Sequence, residues 1–144
     1  MSLKQISVFV ENKPGKMQQL TQTLAEHNVD MRALSLAETS DFGIVRIIVD
    51  DAYAASTMLK DEGYIHSISK VLGVAIPDQP GGLNTVLAVL SEAEINVEYM
   101  YAFMGGKNVD QAYMIFRVED NKAAVAALGA KGIHCVDQDE LMQL

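Results

Sequence analysis

Val8-Phe9-Val10-Glu11-Asn12-Lys13-Pro14-Gly15-Lys16-Met17 returns 66 positions later as Val74-Ala75-Ile76-Pro77-Asp78-Gln79-Pro80-Gly81-Gly82-Leu83. Self-similarity at a fixed offset marks a repeated structural unit. Leu20 and Leu24 fall on Val86 and Leu90, and Val29-Asp30-Met31 falls on Ile95-Asn96-Val97. Further on the offset becomes 69, placing Val49-Asp50-Asp51 on Val118-Glu119-Asp120, Leu59 on Leu128 and Gly63 on Gly132. Three residues are therefore inserted in one loop, around Gly105-Gly106-Lys107-Asn108, and loop tips tolerate insertion. The chain reads as two copies of one unit, residues 1–69 and 70–144.

Each copy reads as strand, helix, strand, strand, helix, strand. Ile6, Val8 and Val10 alternate as one face of a strand until Asn12 and Pro14 break the pattern. Met17, Leu20 and Leu24 then recur at helical spacing, as do Leu83, Val86, Leu87 and Leu90. Alternation resumes over 29–38 and 42–49 around the turn composition Thr39-Ser40-Asp41. Ala55, Met58 and Leu59 predict a second short helix ended by Gly63, and Gly132 does the same in the second copy. The order βαββαβ predicts an α+β fold of two ferredoxin-like repeats, each an antiparallel sheet with both helices on one face.

Val45, Ile47 and Val49, with Met114, Phe116 and Val118, are the expected helix-facing sets of the third strands. Their alternates, Ile44, Arg46 and Ile48 or Tyr113, Ile115 and Arg117, leave the outer sheet face largely apolar, and Tyr99, Tyr101 and Phe103 add to it. So apolar a face predicts packing against another sheet, between repeats or in a homodimer. No polar, flexible linker separates the copies between Tyr64 and Ile76, so a fixed mutual geometry is expected.

A net charge of −8 and a pI near 4.7 argue against binding to nucleic acid or anionic membranes. No apolar run approaches the roughly 20 residues of a membrane span, and the early Glu11 and Lys13 interrupt any signal-peptide core. The single Cys135 leaves no intrachain disulfide. A cytoplasmic protein is the expectation.

The strand-to-helix turns, Asn12-Lys13-Pro14-Gly15 and Asp78-Gln79-Pro80-Gly81, carry the functional content. Asn and Asp suit a helix cap, Pro suits a first turn, and Gly admits a ligand or another backbone. A helix start presents unpaired N–H groups and the positive end of a dipole, a ready seat for a carboxylate. Asn12 and Asp78 are the side-chain acceptors beside that seat, and Met17 and Leu83 its apolar neighbours.

Asn12-x-Pro14-Gly15, Met17, Leu20, Leu24 and Val29-Asp30-Met31 resemble the opening of an ACT domain, and the second copy is similar to it in matching register. The resemblance covers nearly all of both repeats. It implies binding of a free amino acid or related small metabolite at an interface between two such domains, touching the turn before the first helix and the second strand of a neighbour. Carried onto this sequence, the turn residues are Asn12, Pro14, Gly15, Lys16 and Met17, and Asp78, Pro80, Gly81, Gly82 and Leu83. The second-strand residues are Asp30, Met31 and Arg32, and Asn96, Val97 and Glu98. Lys16 against Gly82 and Asn12 against Asp78 mean that the two sites need not be equivalent.

No catalytic group, metal site or cofactor is expected. His27, His66 and His134 lack metal-ligand spacing. His134 and Cys135, adjacent in a strand, point to opposite faces and so make no nucleophile–base pair. Asp50-Asp51 and Glu119-Asp120 complement the start of each second helix. An amino-acid-binding regulator of some enzyme is the leading reading. The alternatives are an adaptor acting through its apolar sheet face without a metabolite, and an enzyme on a ferredoxin-like scaffold.

Overall fold

The structure is a computed structural model describing residues 2–107 and 110–144; Asn108 of the inserted loop lies outside them. Two compact units are present, Lys4–Ser69 and Lys70–Leu144, the latter together with Leu3.

The first unit contains β1 (Leu3–Glu11), α1 (Lys16–Glu26), β2 (Met31–Glu38), β3 (Phe42–Val49), α2 (Ala52–Asp61) and the beginning of β4 (His66–Pro77). Its β2 and β1 flank β3, both antiparallel to it, with Val8 opposite Val45 and Leu36 opposite Val45 from the other side. The Phe9 N–H donates to Ile65 O at the head of β4. Ile6, Val8 and Val10 meet Leu20 and Leu24 of α1, Ala55 and Leu59 of α2, and Val45, Ile47 and Val49 of β3 in one core. Both helices thus cover the same face, as the alternation predicts.

The second unit repeats this plan with the rest of β4, α3 (Gly82–Glu92), β5 (Val97–Ala102), β6 (Gln111–Val118), α4 (Asn121–Ala130) and β7 (Cys135–Val136). Here β6 lies between β4 and β5, and β7 pairs with the other edge of β4. Leu72, Val74, Val86, Leu90, Phe116, Val118 and Leu128 form its core. Gly73 is needed for this closure, because a Cβ there would come within 2.7 Å of both Leu3 Cδ1 and Val136 Cγ2.

The second helices begin as read, with Asp51 accepting from the Ala54 N–H and Asp120 from the Ala123 N–H. Gly63 and Gly132, just past their C-caps, take φ values of 82° and 74°, the left-handed stop that glycine permits. Of the outer sheet face, Ile48, Tyr101, Phe103, Tyr113 and Ile115 are buried, whereas Phe9, Phe42 and Ile65 remain exposed.

Two details depart from the sequence reading. The caps of α1 and α3 are not Asn12 and Asp78 but Gly15 and Gly81, and neither helix has a side-chain cap. After β7 the chain adds α5 (Gln138–Gln143), opened by a capping box in which Asp137 and Glu140 each accept from the other's backbone N–H.

Candidate functional site

The Pro-Gly pairs build type II turns rather than a first helical turn. Pro14 and Gly15 occupy the two central positions, the Lys16 N–H donates to Lys13 O at 3.3 Å, and Gly15 has φ 85° and ψ −12°. The same bond runs from Gly82 N–H to Gln79 O at 3.0 Å, with Gly81 at φ 87° and ψ −7°. A residue with a Cβ would be strained at either glycine. The first N–H to bond within α1 is that of Gln19, to Gly15 O, so the amides of Met17 and Gln18 point off the helix end.

Asn12 is held from both sides by the β2–β3 hairpin. Its N–H donates to Asp41 O at 3.0 Å and its Nδ2 to Thr39 O at 3.1 Å, leaving Oδ1 as an acceptor. The hairpin is itself closed by the Thr39 N–H to Phe42 O at 2.7 Å. The turn, the end of β2 and the start of β3 therefore meet at one corner of the first unit.

A hollow of about 370 Å³ opens there. Val10, Met17, Leu36 and Gly43 form its apolar part, and Glu11, Asn12, Lys13 and Glu38 its polar part. Gly43 stands opposite Val10 on one side and Glu38 on the other. A Cβ at that position would lie 3.0 Å from Leu36 Cδ1 and 3.2 Å from Val10 Cγ2, so the missing side chain keeps the space open. Glu11 is engaged by Lys13 at 3.0 Å and Lys16 at 3.8 Å. The hydrogen bond and charge of Lys13, with Lys16 adding, hold its carboxyl below the ordinary glutamate value. A space of this size, apolar at its base with few polar groups above, has the anatomy of a small-molecule site.

The corresponding corner of the second unit is built differently. The Asp78 N–H donates to Asp110 O at 3.0 Å, in parallel with Asn12. Opposite Ile76, however, stands Ala112 in the place of Gly43, packed against the core. Gly82, where the first repeat has Lys16, is buried, and a Cβ on it would collide with the Pro77 carbonyl oxygen.

Asn12, Pro14, Gly15, Lys16 and Met17 thus lie together in one unit, and Asp78, Pro80, Gly81, Gly82 and Leu83 in the other. Within each unit the second-strand residues stand at the opposite end of the sheet from the turn. Met31 pairs with Val49, and Val97 with Val118. Both ladders carry a bulge there, at Arg32 and at Glu98, between 31/33 and 97/99 respectively. Arg32 reaches Asp30 at 3.1 Å and Glu98 reaches Arg117 at 3.3 Å. Asn96 lines a separate hollow of about 590 Å³ with Glu94, Asp120 and Lys122. Sequence reasoning missed Leu36, Glu38 and Gly43. Following the ladder from Val10 across to β3 and β2 would have found them.

No group of His, Cys, Asp and Glu among the described residues could hold a metal. Burial pushes the Cys135 thiol up, away from the reactive thiolate. His66 accepts or donates at Ser56 Oγ, 2.8 Å away, and at Tyr64 O, 3.1 Å away. His134 sits 2.5 Å from Glu140. No helix of the described residues is long and apolar enough to cross a membrane.

Among solved structures, a protein from Bacteroides thetaiotaomicron superposes with a TM-score of 0.91 at 35% identity, covering 100% of this chain and 98% of that one. The ligand-free regulatory subunit of aspartate kinase from Thermus thermophilus superposes at 0.64 with 17% identity, over 88% and 90% of the two chains. Its counterpart from Thermus flavus gives 0.61 at 17% identity over the same shares. These two likenesses speak to the fold. No curated protein sequence matches the chain. The family described as the ACT domain pair matches residues 1–144, across both repeats, and to that family the chain belongs.

Proposed function

We propose that this protein is a cytoplasmic regulator that binds a free amino acid at the turn–helix corner of an ACT module and passes its occupancy to a partner enzyme without catalysing a reaction. The observation that carries this reading is the hollow at the turn before α1, where an apolar base of Val10, Met17 and Leu36 meets Asn12 and the carboxylate of Glu38. The ligand carboxylate would take the helix amides and its ammonium the acceptors at the rim. A neighbouring ACT module would supply the second-strand residues, among them Arg32 or Glu98, that close over it. Regulatory subunits of aspartate kinase from two Thermus species share the fold, which accords with a regulatory role.

An amino acid that binds only the folded state raises its stability by about 2.7 kcal/mol at a hundredfold excess over Kd. Screening the twenty amino acids at millimolar concentration by thermal shift should single out one or a few that raise Tm by several degrees. A flat response across all twenty would remove the reading.

The exposed Phe9, Phe42 and Ile65, 41%, 53% and 75% accessible respectively, offer a face for self-association. Phe9 and Phe42 lie on the sheet face away from the helices, since their neighbours Val10 and Gly43 pair on the helix side. A second copy of the chain is the occupant proposed. Light scattering showing a monomer at micromolar concentration would count against the homodimer.

A further inference from the structure

We infer that each chain holds one amino-acid site rather than two, in the first repeat, and that its ligand carries a neutral aliphatic side chain. This rests on the sensor reading above and narrows it. The two repeats share turn, helix and hairpin, so the differences between their corners decide which can admit a guest. In the first, Gly43 leaves a space of about 370 Å³ above Val10, Met17 and Leu36. In the second, Ala112 occupies the equivalent position, and the carbonyl oxygen of Pro77 lies where any side chain on Gly82 would have to begin.

The charges at the open corner define the ligand's polar end. Glu11 is already engaged by Lys13 and Lys16, while Glu38 has no ion-pair partner among the described residues, so an incoming ammonium is drawn to Glu38 and to Asn12 Oδ1. The ligand carboxylate then faces the Met17 and Gln18 amides. That orientation leaves the side chain against Val10, Met17 and Leu36. A charged side chain held against these three apolar residues would give up hydration, whereas an aliphatic one gains about 25 cal/mol for each Å² it buries. Leu36, 55% accessible in the empty protein, is the apolar surface such a ligand would cover.

The test is calorimetric titration of the full chain with leucine, isoleucine, valine and methionine, and with lysine and aspartate for contrast. The expected result is binding of an aliphatic amino acid at one molecule per chain. Gly43→Ala should weaken it by at least about tenfold, the scale on which pockets discriminate a methylene. Leu36→Phe fills the same hollow from an exposed position and should reproduce the loss, so a folding defect in either variant leaves the other decisive. Gln79→Glu, which places an anion at the second corner, should leave the affinity unchanged. Two molecules per chain, a charged ligand preferred over all aliphatic ones, or loss of binding in Gln79→Glu with retention in Gly43→Ala would overturn the one-site inference while the sensor reading stands. Absence of binding here together with a flat thermal-shift response to all twenty amino acids would overturn both.

Discussion

Gly82→Ala should lower the stability of the second unit by about 2–4 kcal/mol, although it adds a single methyl group. The added Cβ would collide with the Pro77 carbonyl oxygen, which is backbone and cannot rotate aside. Relief requires the start of α3 to move away from the end of β4, stretching the 3.0 Å bond from Gly82 N–H to Gln79 O. In a unit of about 70 residues each kcal/mol corresponds to roughly 4–8 °C, so Tm should fall by on the order of 10–25 °C. Lys16 provides the internal comparison. At the same step of the first repeat a full side chain is already present and the turn bond is 3.3 Å, so Lys16→Ala should change stability by less than about 0.5 kcal/mol. Equal Tm values for Gly82→Ala and the parent protein would mean that the second corner opens freely, which would also weaken the case for its closure to ligands.

Phe116→Ala should be the more damaging core substitution, costing about 3–5 kcal/mol. Phe116 is fully buried in the centre of β6, opposite Leu72 on β4 and Met100 on β5. Removing its ring leaves a cavity bounded by two strands and α4 that cannot collapse without breaking the ladder. Total stabilities of about 5–15 kcal/mol make this a large fraction of the whole. Urea denaturation followed by far-UV circular dichroism should show an early transition for this variant. A midpoint unchanged from the parent would contradict the assignment of Phe116 to the core. Its counterpart Ile47, also fully buried, should cost somewhat less on truncation, because a smaller volume is lost.

Most of the architecture was legible because the chain states it twice. The offset of the doubled turn exposed the repetition, and strand alternation in Val45, Ile47 and Val49 named the face that the helices cover. The helix caps were misread for a reason of competition. Asn12 is a good cap residue, but the hairpin carbonyls of Thr39 and Asp41 claim its donors, and that contact spans 27 residues or more. Local propensity cannot anticipate such a partner. The same is true of Gly43, unremarkable in its own strand, whose importance appears only when the ladder sets it between Val10 and Glu38. The bulges at Arg32 and Glu98 left no compositional trace. α5 was different, since Asp137 followed three residues later by Glu140 is a capping-box pattern. It was overlooked because the first repeat, used as the template, has no counterpart to it.

The proposal depends most on whether the Gly15 corner receives an amino acid. An amide-resolved NMR titration of the labelled chain with leucine tests this directly. Shifts concentrated in Asn12 to Gln18 and in Leu36 to Gly43 are the predicted result. Shifts confined to the strands and helices away from that corner, with Met17 and Gly43 unmoved at saturation, would contradict it.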